Sequence, residues 1–354
     1  MDYCYRFPVV RGVQAGKEYY IAMVPLKMLT KLFPADDEFV LPEYRAQRKL
    51  NETRIPEIRD YILKNRDSYV FSALAASIDG NFVFNGNVDG NTGILEVSMD
   101  ARFLINDGQH RKAAILEAIN NDETLKEETI SVVLYSDQGL TRSQQMFTDL
   151  NKHAVKTSNS ISELYDSRDK LAVETRKLVA GNEFLNEYVD KERDILGKFS
   201  SALFTLNTFY TANKRILKRE KCDNEFSEFI RMYWEAVTKH MMPWNDLVSK
   251  EISKIELRER YIASQAIVIQ AFGKVGAYIF EKRLTDIDEL LAPIEKINWK
   301  RSSEVWKGRV IRADGRLSTS NDSITLIANT IKRTIKVPLT DDEVFVEEKY
   351  KGLK

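Results

Sequence analysis

Clustered and alternating β-forming side chains over residues 3–10 and 19–24, on either side of Gly12 and Gly16, predict a hairpin at the start of the chain. Ile55, Ile58, Tyr61 and Ile62 then recur at helical spacing, with Pro56 suited to a first helical turn. Residues 70–78 and 82–84 read as strands parted by Asp79-Gly80-Asn81, residues 85–93 as an exposed loop, and 95–99 as a further strand. Phe103-Leu104-Ile105, a helix over 112–119 and a strand over 130–135 predict a β-α-β unit. Thr141 with Gln144, and Ser160 with Glu163, have capping-box spacing and each opens a helix. The first of these carries Met146, Phe147 and Leu150 on one side and ends near Asn151.

From Ser160 to about residue 292 the chain is mostly helix-forming. Leu164, Leu171 and Leu178, then Phe226, Ile230, Trp234 and Val237, recur at three-to-four spacing, as faces buried in a helical bundle do. The longest stretch, 257–280, sets Ile262, Ala266, Ile269, Phe272 and Val275 on a shared face. The tail after Pro293 changes character. Lys296, Lys300, Arg301, Lys307, Arg309, Arg312 and Arg316 stand against Glu304 and Asp314, with Trp299 and Trp306 interleaved. A polar stretch over 318–323 leads into a helical run of Ile324, Ile327, Ile331 and Ile335 with Lys332 and Arg333. The expected architecture is α+β: a mixed α/β domain over 1–160, a helical bundle domain over 161–293, and a basic C-terminal segment with a terminal helix over 294–354.

Composition narrows the classes of function. At 43% hydrophobic and 30% charged, the 354 residues describe a globular chain. Lys plus Arg equals Asp plus Glu at 53 each, so no global field draws the molecule to nucleic acid. Any DNA contact must come from a local patch and depend on salt. Cys4 and Cys222 are too few and too far apart for a disulfide framework or a zinc site, and each is expected as a buried structural thiol. No metal site is read. Without a leader pattern or an apolar run of about 18 residues, the expectation is a cytoplasmic protein with no membrane span.

Three clusters could carry chemistry. Asp107-Gly108-Gln109-His110-Arg111 lies between a strand and a helix, where unpaired backbone N–H groups attract anions. Turn amides and Arg111 would hold phosphate oxygens; Asp107 would hold a metal ion or a ribose hydroxyl, and His110 would carry a proton or donate to phosphate. A plain Asp-Gly turn with a polar first helical turn fits the same residues. The second cluster, Phe147 to His153, exposes Asn151, Lys152 and His153 at a helix end, either as a closure over a ligand or as an ordinary C-cap. The third, Gln47-Arg48 with Arg45 and Lys49, reads alone as a solvated loop.

Taken together these clusters resemble the DGQHR-domain family, to which the DndB regulators of DNA sulfur modification belong, over most of the chain. The resemblance rests on Gln47-Arg48, on Asp107 to Arg111, on Phe-x-x-Leu-Asn at Phe147 to Asn151, and on the basic Trp306-Lys307-Gly308-Arg309 tail. It implies a negative regulator that binds double-stranded DNA at the promoter of phosphorothioation genes and restrains the modification without performing it. The same motif order is similar to DGQQR-type restriction NTPases and, more remotely, to ParB-like CTP-binding folds. That implies a ParB-like N-terminal domain and a pocket for an NTP with Mg2+ formed by Gln47, Arg48, Asp107, Gly108, Gln109, His110, Arg111, Asn151 and Lys152. Asp107 and His110 are its catalytic candidates. His110 stands where those NTPases have a second Gln, and Lys152-His153-Ala154 where they tend to have a glycine, which favours binding over turnover. With His110, His153 and His240 the only histidines, no His-based nuclease cluster follows. The expected DNA-binding residues are Lys300, Arg301, Trp306, Lys307, Arg309, Arg312 and Arg316. A homo-oligomer is expected, as for regulators reading paired half-sites. The alternative function is an NTP-binding or hydrolysing enzyme of a phosphorothioation-linked defence system.

Overall fold

The computed structural model describes residues 3–34, 52–136, 158–197, 200–218 and 221–352. Gln47, Arg48, Asn151, Lys152 and the helix expected after Thr141 lie outside the described residues. The chain forms two compact units, Met1–Val155 and Lys156–Lys354, and its class is α+β.

In the first unit, β1 (Cys4–Gln14) and β2 (Lys17–Pro25) form the expected hairpin. Its turn is tight: Gln14 pairs with Lys17, and Ala15 and Gly16 both have positive φ, at 51° and 72°. Such a two-residue turn matches the twist of the strands it joins. After α1 (Leu29–Leu32) and α2 (Ile55–Lys64) come β3 (Leu74–Asp79), β4 (Phe82–Gly86), β5 (Thr92–Ser98), β6 (Arg102–Asp107), α3 (Gln109–Asn121) and β7 (Thr129–Ser136). The seven strands form one sheet in the order β4-β5-β1-β2-β7-β3-β6. Tyr20, Ala22 and Val24 of β2 point into the core with Ile130, Val132 and Leu134 of β7, as a period of two requires. α2 and α3 pack against each other.

The strand–helix–strand sequence around α3 is present, but it is not a β-α-β crossover. β3 lies between β6 and β7, antiparallel to the first and parallel to the second, so the two expected partners run in opposite directions and never pair. Local patterning carries no record of the strand inserted between them. β3 itself is buried from Leu74 to Ile78, as a strand covered on both faces should be.

The second unit is helical: α4 (Asn159–Tyr165), α5 (Lys170–Gly181), α6 (Glu183–Tyr188), α7 (Leu206–Leu217), α8 (Asn224–His240), α9 (Met242–Val248), α10 (Lys254–Arg260), α11 (Ala266–Glu281), α12 (Ile287–Leu291), α13 (Asn321–Thr334) and α14 (Asp341–Gly352). The stripe Phe226, Ile230, Trp234 and Val237 is buried. The single long helix expected over 257–280 is instead broken at 261–265. There Tyr261 bridges to Lys300, and the Ile262 N–H donates to the Trp299 carbonyl at 2.9 Å, so the tail enters at the break. Nor is the basic tail a separate segment. Trp299, Trp306, Ile324, Ile327 and Ile331 share one core with Phe272, Trp234 and Leu257 of the bundle.

Candidate functional site

The Asp107 to Arg111 run is shaped by two backbone irregularities. Ala76 pairs with Ile105 but Ala75 pairs with Asp107, so Asn106 is an extra residue, a bulge that re-aims the end of β6. The Asn106 side chain is buried and donates to Ser77 Oγ at 2.6 Å. Gly108 follows at φ +99°, in the left-handed region. A Cβ there would lie 2.4 Å from Leu74 Cδ2 and 3.2 Å from the Arg111 guanidinium, and at this φ any side chain is strained. α3 then opens at Gln109, with His110 half-buried as its second residue.

Arg111 is tied inward. Its Nη2 donates to Asp107 Oδ2 at 2.6 Å, and its Nη1 donates to the Ser72 carbonyl at 2.6 Å, the Ala73 carbonyl at 2.9 Å and the Ser72 hydroxyl. The guanidinium joins the start of α3 to the approach of β3, where an outward phosphate fork was expected. Among the described residues, the side-chain nitrogen of Gln109 is buried with no hydrogen-bond partner. A buried amide without an acceptor is costly, and an arriving ligand oxygen would satisfy it.

The basic tail divides into inward and outward residues. Trp306 is fully buried, stacked on Trp299 with ring centres 5.5 Å apart, and its indole N–H donates to the Asn298 carbonyl at 2.7 Å. It is a core residue and not a platform for bases. The Arg301 guanidinium donates to the carbonyls of Arg258 and Tyr261, at 3.2 and 3.4 Å, and Arg309 forks onto Glu347. Lys300, Lys307, Arg312 and Arg316 are exposed. Arg312 and Arg316 close a tight turn in which the Arg312 N–H donates to the Arg316 carbonyl at 2.9 Å. Behind that turn lies a cavity of about 210 Å³ lined by Arg309, Arg312, Ser320, Ser323, Lys349 and Tyr350.

Other groups lie outside the three clusters. Glu163, expected as the partner of Ser160 in a capping box, takes no part in one. Ser158 caps α4, accepting from the Ile161 N–H at 3.1 Å, and the Asp194 carboxylate takes the Asn159 and Ser160 N–H groups. Glu163 is buried with one oxygen unpartnered; burial, then the charges of Asp194 and Asp169, push its carboxyl up to about 7 against the pull of Lys214. His240 is buried between two carboxylates, Glu295 at 2.6 Å from Nδ1 and Asp288 at 2.9 Å from Nε2. These partners lie 55 and 48 residues away in sequence. Cys4 and Cys222 are both free and only half-buried, and burial raises the Cys222 thiol, with Glu174 and Asp169 adding to it.

Among the described residues, no three His, Cys, Asp or Glu side chains converge as for a metal ion, and no helix is long and apolar enough to cross a membrane. A family model described as DndB, DNA-sulfur modification-associated, matches residues 7–338. No curated protein and no solved structure matches the chain.

Proposed function

The chain belongs to the DndB family, associated with DNA sulfur modification, and from that premise we propose that it is a DNA-binding negative regulator of the phosphorothioation genes. The observation that carries the DNA reading is the exposed turn closed by Arg312 and Arg316, with Lys300 and Lys307 also exposed in the same tail. Cations on a projecting turn suit phosphate contacts, and Arg presents a fork that matches them. Two copies would meet paired half-sites in a promoter. The test is a gel shift on the promoter of the sulfur modification genes with Arg312 and Arg316 both changed to Ala. Weakened binding with a shallower salt dependence is expected; unchanged affinity and slope would remove this turn from the DNA site.

A second reading, that the regulator responds to a nucleotide with Mg2+, is favoured by the unpartnered amide of Gln109 at the start of α3. In that reading the first unit works like the ParB and DGQQR-type domains it resembles, with Asp107 and His110 facing the phosphates. His110 in place of a second Gln inclines it to a binding switch over an NTP-hydrolysing enzyme. Thermal shift with each NTP and Mg2+ tests it, comparing wild type with Gln109→Leu. Arg111→Ala is the poorer variant, because it also cuts the tie to Ser72 and Asp107. If no nucleotide raises the melting temperature of the wild type, the switch is lost.

A further inference from the structure

α14 docks the wrong way round for an ordinary helix. Its buried residues are Glu343, Glu347 and Tyr350, at i, i+4 and i+7, where a packed helix normally carries its apolar stripe. Of its apolar residues, Val344 and Phe345 are turned out, 39% and 68% exposed, and Val346 is half-buried. The docked face of α14 is therefore mainly polar. Lys332, itself 1% exposed, donates to both oxygens of Glu343 at 2.7 and 2.9 Å. Glu347 sits in a cradle of four donors. Arg309 forks onto both its oxygens at 2.8 and 2.5 Å, Arg333 donates at 3.0 Å and the Asn329 amide at 3.2 Å. Tyr350 lies under the Arg309 guanidinium, 4.5 Å from ring centre to cation.

A forked Arg, a second Arg and an amide converging on one planar anion form the kind of site that also takes a phosphate. Arg309 shares the wall of the 210 Å³ cavity with Arg312 of the exposed turn and with Lys349 and Tyr350 of α14, so the cradle is continuous with the basic patch. Buried ion pairs contribute little net stability, because desolvation offsets attraction, but breaking one without replacement is costly. A phosphate arriving as the carboxylate leaves avoids that cost.

We propose that Arg309, Arg333 and Asn329 form an anion site for a nucleic-acid phosphate, and that α14 is an intramolecular lid whose Glu347 carboxylate fills the site until DNA displaces it. The inference rests on the DNA-binding reading. In the DNA-free chain the Glu347 carboxylate occupies the donors that a duplex phosphate would take.

The test uses the full chain, duplex carrying the promoter of the sulfur modification genes, and a random duplex of equal length. Glu343→Gln with Glu347→Gln is expected to bind both duplexes at least tenfold more tightly than wild type. In the wild type, saturating duplex is expected to accelerate amide hydrogen exchange across α14. Equal affinities together with unchanged α14 protection in the DNA complex would overturn the lid. If the double variant does not fold cooperatively, the exchange measurement on the wild type decides alone. Should Arg312→Ala with Arg316→Ala weaken binding while α14 of the wild type stays protected under saturating duplex, the lid fails and the DNA reading stands. Should the wild type and the Gln variant bind no duplex at all, the DNA reading fails and the lid with it.

Discussion

Arg111 illustrates what a motif reveals and what it hides. Its place at the opening of a helix was legible, because an Asp-Gly turn between an apolar run and a helical pattern has few other readings. Its partners were not: Ser72 and Ala73 lie 39 and 38 residues upstream, and nothing local points to them. Arg111→Ala should leave the Ser72 and Ala73 carbonyls and Asp107 without their donor, costing about 1 kcal/mol in urea unfolding. An unchanged midpoint would mean that the tie is not structural. Glu163 allows a sharper test, since its carboxyl sits near 7 in the fold against an ordinary 4.5. A raised carboxyl favours the protonated folded state, so its contribution is intact below about 4.5 and is lost as the pH rises through about 7. Glu163→Gln should therefore match wild type at pH 4.5. It should be more stable at pH 8, by roughly 3 kcal/mol at most. Parallel stability curves across that range would remove Glu163 as a titrating buried acid.

Elements were legible where their buried faces were apolar and their neighbours adjacent in sequence. The hairpin of β1 and β2 and the stripe of α8 fall in that class. The failures share a cause at longer range. β3 enters between β6 and β7 from another part of the chain, and the tail at Trp299 breaks the helix expected through Tyr261. The helical run of Ile324 to Ile335 marks α13, whereas α14 beyond it has no apolar stripe to mark it, its buried face being Glu343, Glu347 and Tyr350. Its chemistry makes it acid-sensitive. Burial works to raise the Glu347 carboxyl, but the bonds from Arg309 and Asn329 outweigh it and hold the group down to about 2. A depressed carboxyl stabilises the docked helix above the ordinary 4.5 and ceases to do so as the pH falls toward 2. Amide exchange at pH 3 should thus show α14 losing protection relative to α13, once intrinsic exchange rates are corrected. Glu347→Gln should show the same loss already at neutral pH. Equal protection of the two helices in the acid would mean that ion pairs are not what holds α14.

For the molecule as a whole, zero net charge means that DNA affinity is set by the cations that reach solvent, not by the total. Seven residues of the tail looked eligible from sequence, and the side chains sort them. Trp306 lies in the core, Arg301 is tied to backbone carbonyls, Arg309 is held by Glu347, and Lys300, Lys307, Arg312 and Arg316 remain exposed. Sequence alone could not make that division, because core and solvent sides alternate within a tail that has little regular secondary structure before α13. It has a measurable consequence. Four phosphate contacts alone would give log K against log salt a slope near −4. Displacement of the α14 lid in the complex adds Arg309 and Arg333, so the slope should reach about −5.5, in wild type as in Glu343→Gln with Glu347→Gln. Arg312→Ala with Arg316→Ala should make the wild-type slope shallower by about 2 while leaving thermal stability unchanged, because both side chains are exposed. Titrations over a series of salt concentrations on one promoter duplex measure all three slopes. If the double Ala variant kept the wild-type slope, the DNA would be bound elsewhere on the molecule, and a steep slope in Gln109→Leu as well would leave the first unit's motif with a role other than phosphate contact.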